Sequence, residues 1–579
     1  MSASSSSAFE NRARPSSIGF RMIAGFLLVL AINSLVLAYF HDRFWWPPDE
    51  GAYAHTAHRV LAGERLNVDV EEIHPGYLTF VNAAAFRLFG LRLVSLRYPL
   101  VVAALIQSCL LFLMFARRDV VVGVVAGIAA IAMGVLQFLN PTPNWYCLLF
   151  ATVIAFILSH TEQQHAWRVI AVGFLVGLTF LFRQITGVFV GMAVLSYLLT
   201  ETRDASAGEG TLLARGLLLL MLAGLLVYLL SATDGYGLVL FGIWPIAFLV
   251  MAVFYVRTSN RRSIMILLRM GVGFVLACVP LVLYHAVYGS FRGFIDDTVF
   301  RALHVSKFSY LKKASYSTLQ AEGLRHFLAF ESVATTVNGF FWLVLPLTAL
   351  ALGIMTLRRF QNTRTTGVAG SLPFIAIFYG LVALLQQIPI YLFYALPLII
   401  AALLWLTLDA RKPLKWVLTV LTICFSFIAV YYHAAQPITR MLSGIIAGKR
   451  VPFVAASQIE RAGLQTDADS AAVYSDLIQT IQQGSQPDEN ILVLPNNPEV
   501  YFLAQRKNPF RFWNSAIGIR DEKEASEVLQ VMKTAPPRIV VMSPSDRNNT
   551  PASAPIVNYV REQYTLVKTI SSFEVYRAR

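Results

Sequence analysis

The densest group of polar side chains in this sequence lies between two apolar runs near the amino terminus. In the segment WWPPDEGAYAHTAHRVLAGERLNVDVEEIHPGY, carboxylates and imidazoles follow one another at short spacing: Asp49, Glu50, His55, His58, Glu64, Asp69, Glu71, Glu72 and His74. Such side chains exchange protons near neutral pH, and they also bind divalent metals. The segment therefore predicts an acid–base or metal site at the membrane face.

Asp49 follows two consecutive prolines, and a helical pattern resumes at Ala52. This order places Asp49 at the amino-terminal end of a short helix that lies along the membrane surface. Two interpretations stay open. An aspartate there can cap the helix and complement its dipole, or its carboxylate can act as a general base. We expect His55 and His58 on the polar face of the same helix.

The elements that must position these residues are apolar helices. The chain has 579 residues, 56% hydrophobic and only 14% charged, whereas a soluble domain is about 25% charged. Apolar runs long enough to cross a hydrocarbon core of about 30 Å recur through residues 22–434. We predict about thirteen transmembrane helices, at residues 22–40, 94–116, 119–138, 146–159, 169–182, 186–200, 216–232, 237–256, 264–287, 338–357, 371–386, 390–408 and 415–434.

The distribution of positive charge predicts the topology. The net charge is +14, and clusters of basic residues mark the tail 1–21 and the short connectors 117–118, 168, 257–262, 358–364 and 411–415 between apolar runs. Such residues mark the cytoplasmic side, so no nucleic-acid partner is implied. All of them fall on one side only if VIAVGFLVGLTFLFRQITGVFVGMAVLSYLL makes two passes with Arg183 at the outer turn. Loops 41–93 and 288–337 and residues 435–579 then face the periplasm or exterior.

The chain changes character after residue 440. ENILVLPNNPEVYFLA, RIVVMSPS and YTLVKTISSFEVYRAR are typical of short buried strands, and DEKEASEVLQVMK is typical of an amphipathic helix. These elements predict a small extracytoplasmic α/β domain at 435–579. It contains no glycine-rich nucleotide loop, so we assign it no nucleotide cofactor.

Several motifs resemble those of a known superfamily. The runs PPDEGAYAHTAHRVLAGE, HPGYLTFVNAAAFRLFG and LRYPL resemble the first outer loop of the GT-C glycosyltransferases. The resemblance is to the group that contains the protein O-mannosyltransferases and the lipid A aminoarabinose transferases. FLFRQITG and IPIYLFYALP repeat later motifs of that family in the same order. The resemblance implies the GT-C fold, with residues 22–434 as the catalytic membrane domain.

Enzymes of this family transfer a sugar from a polyprenyl-phosphate donor to an acceptor on the outer face of the membrane. For this chain the resemblance implies an extracytoplasmic acceptor, which is a glycolipid, a polysaccharide or a protein. It also implies that the protein lies in the bacterial inner membrane and that the reaction is an inverting single displacement. Asp49 would be the general base or orienting carboxylate, with Glu50 supporting it. Membrane lipids are further expected partners.

The same resemblance implies a site for the donor phosphate. Arg183 stands where the family places a Lys or Arg, and Tyr391 where it places a tyrosine. The competing interpretations are snorkelling of Arg183 to the interface and an interfacial aromatic anchor for Tyr391. We also expect Lys307, from a basic and aromatic outer loop, to contact the phosphate or anionic lipid headgroups.

His74 occupies the place where relatives carry phosphate- or metal-contacting residues, but here it opens a His-Pro-Gly sequence. Glu72 and His74 are weak candidates for a divalent metal ion, because two residues do not make a site. Solvation at the surface is the simpler interpretation.

An alternative function is a transporter or flippase of lipid-linked glycans. Transporters place ionisable groups near the bilayer midplane and show inverted repeats. This chain instead crowds its ionisable residues into the outer loops, which favours the enzyme.

Overall fold

Most of the chain before residue 437 is helical, and a small mixed sheet lies near the carboxy terminus. The computed structural model describes residues 15–161, 165–201, 210–232, 234–305, 308, 315–363, 370–410, 412–436, 450–455 and 459–579. Up to residue 232 the helices are α1 (Pro15–Phe40), α2 (Pro47–Leu61), α3 (Tyr77–Phe89), α4 (Arg97–Ala116), α5 (Val120–Ala132), α6 (Pro143–His160), α7 (Ala166–Phe182), α8 (Gln184–Thr200) and α9 (Leu212–Ala232). The later helices of the membrane region are Ile243–Tyr255, Asn260–Tyr288, Tyr316–Ala329, Val333–Val344, Leu347–Thr363, Ser371–Tyr379, Pro389–Thr407 and Lys412–Ile428.

The predicted spans coincide with apolar helices of the structure. By length and composition, 10 helices among the described residues could cross a membrane. The predicted spans 169–182, 186–200 and 371–386 fall on shorter apolar helices, Ala166–Phe182, Gln184–Thr200 and Ser371–Leu384. The hydropathy pattern therefore identified the helices of a multi-pass membrane protein.

Arg183 separates two helices, as the charge pattern predicts. Helix α7 ends at Phe182, and α8 begins at Gln184. Arg183 between them has the extended dihedral angles φ −155° and ψ 111°, and the two helices pack against each other. The alternative of one long helix with Arg183 inside it is wrong.

The first outer loop forms two helices, α2 and α3. Helix α2 begins at Pro47, five residues before the predicted resumption at Ala52. The two prolines begin this helix because a fixed φ and a missing N–H group are tolerated in the first turn. Helix α3 lies between Gly76 and Gly90. Residues 62–76 therefore form the connection between α2 and α3.

The second outer region is built from short helical pieces. After the helix Asn260–Tyr288 come Phe291–Ile295, a π-helical turn at Asp296–Arg301 and a single turn at Ala302–Val305. Residue 315 onward continues into Tyr316–Ala329, whose first turn is capped by the side chain of Ser315.

The carboxy-terminal region is an α/β domain, as predicted. Its four-stranded sheet has the order β3-β4-β6-β5, with β3 parallel to β4 and the remaining neighbours antiparallel. The strands are β3 (Ile491–Leu494), β4 (Ile539–Met542), β5 (Tyr564–Ile570) and β6 (Phe573–Ala578), and a short antiparallel pair precedes them, β1 (Val454–Ala455) and β2 (Gln465–Thr466). The accompanying helices are Ala468–Gly484, Glu499–Ala504, Glu522–Thr534 and Ala554–Gln563.

This domain shares a hydrophobic core with the first outer loop. Side chains of β3 alternate between two clusters, and the cluster that contains Ile491 and Val493 also contains Ala54 of α2 and Phe86 of α3. The contact between α2 and the helix Glu499–Ala504 is close. A Cβ atom on Gly51 would lie 2.3 Å from the backbone nitrogen of Glu499, so only glycine fits there. The start of α2 is therefore held between the membrane helices and the carboxy-terminal domain.

Candidate active site

Asp49 is the third residue of α2 and does not cap it. Trp46 stands at the N-cap position, and no side chain there caps the helix by a hydrogen bond. The residue is exposed, and no described side chain forms an ion pair or hydrogen bond with its carboxylate. Surrounding protein desolvates the carboxylate and Glu50 repels it, raising the pKa of Asp49 to about 6, while Arg547 acts in the opposite direction. This arrangement favours a proton acceptor over a helix cap.

Glu50 lies in a different environment from its neighbour. It is fully buried, and its Oε1 accepts a hydrogen bond of 2.6 Å from Nε of Arg97, which is also buried. Its Oε2 accepts from the backbone nitrogen of Trp46 at 3.1 Å. The same arginine donates to the carbonyl oxygens of the chain that leads into α2, at His41, Arg43 and Phe44. Glu50 therefore fixes the entry into α2, which is a positioning role beside Asp49.

Tyr53, one turn after Asp49, marks the centre of the site. Burial raises its pKa well above 10, and the nearby charges of Asp49 and Glu72 act in the same direction. The guanidinium of Arg183 acts against them. The charges of three residues singled out from separate motifs of the sequence thus act on one phenolic hydroxyl.

Arg183 points its guanidinium group at polar partners that carry no formal charge. It donates to Oδ1 of Asn144 and, at 3.2 Å, to the hydroxyl of Tyr391. It also lies 5.4 Å from the ring centroid of Tyr391. Among the described residues no carboxylate pairs with Arg183. An uncompensated arginine beside apolar helices is suited to bind an anion in a bidentate manner.

Glu72 and His74 form a local unit before α3. Oε1 of Glu72 accepts from the backbone nitrogen of His74 at 2.9 Å and lies 3.0 Å from its Nδ1. Oε2 of Glu72 accepts from the hydroxyl of Thr79 at 3.1 Å. In the part of the chain that the structure describes, no group of three His, Cys, Asp or Glu side chains could hold a metal. Glu72 thus orients the imidazole of His74.

The remaining predicted residues have other surroundings. Lys307 lies outside the described residues. His55 is buried and His58 is half-buried, and both pack against the carboxy-terminal domain, edge-on to Tyr501 and Phe502. Burial lowers the pKa of both histidines, to about 4 for His58. The histidine prediction was wrong because the domain covers this face of α2.

Several residues of the site could not be singled out from the sequence. Asn144 had a weak signal, because NPTPNW forms a short polar turn between two predicted spans. Tyr53 and Arg97 lie within the quoted motifs PPDEGAYAHTAHRVLAGE and LRYPL, but nothing in their residue type or spacing indicates an individual role. The charge of Arg547 acts on Asp49 only because tertiary packing brings the carboxy-terminal domain near α2.

Comparisons with known proteins bear on the membrane region. Residues 74–228 match the family described as dolichyl-phosphate-mannose-protein mannosyltransferase. That match includes His74 and Arg183 but neither Asp49 nor Tyr391. No curated protein matches the chain significantly.

Among solved structures, the chain is similar to the crystal structure of ArnT from Cupriavidus metallidurans bound to undecaprenyl phosphate. The two share 12% sequence identity, and the alignment covers 97% of this chain and 98% of that one with a TM-score of 0.38. At that score we transfer no residue role from it. The family match agrees with the resemblance that the motifs indicate: residues 74–228 are similar to a family of membrane mannosyltransferases.

Proposed function

We propose that the protein transfers a monosaccharide from a polyprenyl-phosphate donor to an extracytoplasmic acceptor, with inversion at the anomeric carbon. The acceptor is a glycolipid, polysaccharide or protein of the envelope. One observation carries the proposal. Among the described residues, the exposed carboxylate of Asp49 has no ion-pair partner and the guanidinium of Arg183 has no carboxylate partner, and the charges of both act on the hydroxyl of Tyr53.

These two charges suit the two ends of a single displacement. Asp49 accepts the proton of the acceptor hydroxyl while the acceptor oxygen forms a bond to the anomeric carbon. The bond between that carbon and the phosphate oxygen breaks, and polyprenyl phosphate leaves with the electron pair. A base with a pKa of about 6 is largely ionised at neutral pH and still takes up a proton readily.

Arg183 is suited to bind the leaving phosphate. Its guanidinium is always charged, and Tyr391 and Asn144 hold it in one orientation. Fixed donors of this kind stabilise the negative charge that develops as the glycosidic bond breaks. His74, held by Glu72, and Lys307 are further proposed phosphate contacts.

The proposed orientation places the site outside the cytoplasm. Asp49 and the carboxy-terminal domain lie on the same side of the helices, because the domain packs on α2 and α3. The positive-inside pattern assigns that side to the periplasm or exterior. A phosphatase fused after Arg579 is expected to be active, whereas an active cytoplasm-dependent reporter there would contradict the orientation.

The test of the activity is mass spectrometry of envelope glycans and glycolipids from a strain that lacks the gene. We expect one sugar residue to be missing, to return with the wild-type gene and to stay missing with Asp49→Asn. An unchanged envelope, or full recovery with the variant, would contradict the proposal.

A further inference from the structure

A carboxylate outside the proposed chemistry, Asp297, lies buried where three parts of the protein meet. Its side chain is 0% exposed. Nη2 of Arg511 donates to both of its oxygens, at 2.9 and 2.8 Å. Nδ2 of Asn67 donates at 2.9 Å, and Nε of Arg301 lies 3.3 Å away. A buried carboxylate with this many donors organises the groups around it.

On one side Asp297 holds the chain that leads to Glu72 and His74. The backbone nitrogen of Glu72 donates to Oδ2 of Asp297 at 3.4 Å. Asn67, bound to the same oxygen, also donates to the carbonyl of Glu72 at 3.0 Å. It has a φ of +63°, a conformation that asparagine adopts more readily than most residues. The start and the end of this turn are thus bound to one carboxylate.

The adjacent backbone supports the same turn. A Cβ atom on Gly293 would lie 1.8 Å from the carbonyl oxygen of Asn67, so the second outer region passes directly against it. Nε2 of Gln184 donates to the carbonyls of Ile73 and Thr298, at 2.9 and 3.3 Å. Gln184 directly follows Arg183, and Ile73 directly precedes His74. The hydrogen bond between Gln184 and Ile73 therefore links the chain segments of two proposed phosphate contacts.

On the other side the same segment binds the carboxy-terminal domain. Arg301 donates to the carbonyls of Ile517 and Gly518 at 3.1 Å and to Glu524 at 2.8 Å. Beside it, the carbonyl of Arg511 accepts from the backbone nitrogen of Glu71 at 2.8 Å. The domain thus contacts the turn both directly and through Asp297.

We infer that Asp297 is a positioning residue that holds the turn Asn67–His74 in the geometry of the donor-phosphate site when the carboxy-terminal domain is docked. The inference rests on the proposed function for the identity of the ligand. Asp297 touches neither the donor nor Asp49 in this scheme. Its loss weakens donor binding through the displaced turn and leaves turnover at saturating donor near that of the wild type.

The experiment compares three variants of the full chain in detergent. Asp297→Asn places an amide where Arg511 and Asn67 donate. Asn67→Gly keeps a residue that tolerates positive φ but removes both side-chain hydrogen bonds. The control is Asp476→Asn, which removes an exposed ion pair between Asp476 and Lys568 within the carboxy-terminal domain.

The first readout is hydrogen–deuterium exchange of the peptide that spans 65–74, without ligand. We expect this peptide to exchange faster in Asp297→Asn and Asn67→Gly than in the wild type. In the control variant its exchange rate is expected to equal that of the wild type. The second readout is binding of polyprenyl phosphate, together with KM and kcat for transfer. We expect the dissociation constant and the donor KM to rise on the order of ten- to a hundredfold, with kcat little changed.

The outcomes separate this inference from the proposed function. If the wild-type protein binds no polyprenyl phosphate, the proposed function fails, while the exchange data still test the role of Asp297. If the wild type binds and both variants bind equally well, the inference is overturned, whatever their exchange. A fall in kcat with unchanged donor binding would also overturn it. If Asp297→Asn does not fold, Asn67→Gly carries the test.

Discussion

The replacement Asp49→Asn separates catalysis from folding more sharply than any other single change. The carboxylate has no ion pair or hydrogen bond to a described residue, so its removal breaks no contact. Asparagine is nearly the same size and tolerates the first turn of a helix about as well. We therefore expect no loss of stability, because the change removes a desolvated charge whose pKa is raised in the fold.

The effect on transfer is expected to be large. With a pKa of about 6, Asp49 at pH 7.5 is ionised in a ratio of roughly thirty to one. Loss of a positioned base typically costs about a hundred- to ten-thousandfold in rate. This corresponds to about 3 to 5 kcal/mol in the barrier. Donor binding is expected to persist, since Arg183 is unchanged.

The matched control is the neighbouring residue. Glu50→Gln leaves the buried Arg97 without its carboxylate, which is expected to destabilise the fold by about 3 to 5 kcal/mol. The assay measures product by mass spectrometry with a polyprenyl-phosphate sugar, donor binding, and thermal unfolding in detergent. Turnover of Asp49→Asn within tenfold of wild type would refute a base at this position. A large loss of stability in the same variant would show that Asp49 is structural.

Further expectations follow from the same geometry. Activity is expected to fall as pH drops through about 6, because protonated Asp49 cannot accept a proton. In a pH profile of kcat/KM, Arg547→Gln is expected to move this acidic limb to higher pH, because Arg547 lowers the pKa of Asp49. An acidic limb near pH 4 in the wild type would contradict the assignment. Arg183→Ala is expected to raise the donor KM about ten- to a hundredfold, with Arg183→Lys retaining part of the activity, whereas equal loss in both would indicate a packing role. Gly51→Ala is expected to lower the melting temperature, because its Cβ would meet the backbone of the carboxy-terminal domain at 2.3 Å. Gly224→Ala, with open space around the Cβ, is expected to keep or raise it.

The membrane helices were predictable because the bilayer imposes a local rule. A span must be apolar over its whole length, so hydropathy alone finds it, and even the interruption at Arg183 follows from the arrangement of basic connectors. Two strands of the carboxy-terminal domain, Ile491–Leu494 and Ile539–Met542, were predictable for a similar reason. Each is a run of four buried apolar residues that is visible in the local sequence. The helix α2 begins five residues before the predicted position, because the two prolines start the helix and do not delay it.

The site was only partly predictable, because its contacts join distant parts of the chain. Arg183 stood out, since a charge in an apolar context is visible in the sequence itself, and Asp49 stood out because it follows two prolines at the start of a polar segment. The partners that define their roles did not. Arg97 is 47 positions from Glu50, and Arg511 is 214 positions from Asp297. No local pattern predicts such pairs, because tertiary packing alone brings them together.

The acidic pair of α2 shows how one short motif yields two roles. Consecutive residues of a helix point about 100° apart, so Glu50 faces the buried Arg97 while the side chain of Asp49 points away from it. The charge of Glu50 stays beside Asp49 and helps to raise its pKa toward the range of a useful base. Its ion pair with Arg97 also orders the turn that begins α2. Replacing either acid with the other would therefore fail for different reasons. Glutamate at 49 would move the carboxylate by one methylene group, and aspartate at 50 would fall short of the arginine that keeps the helix in place.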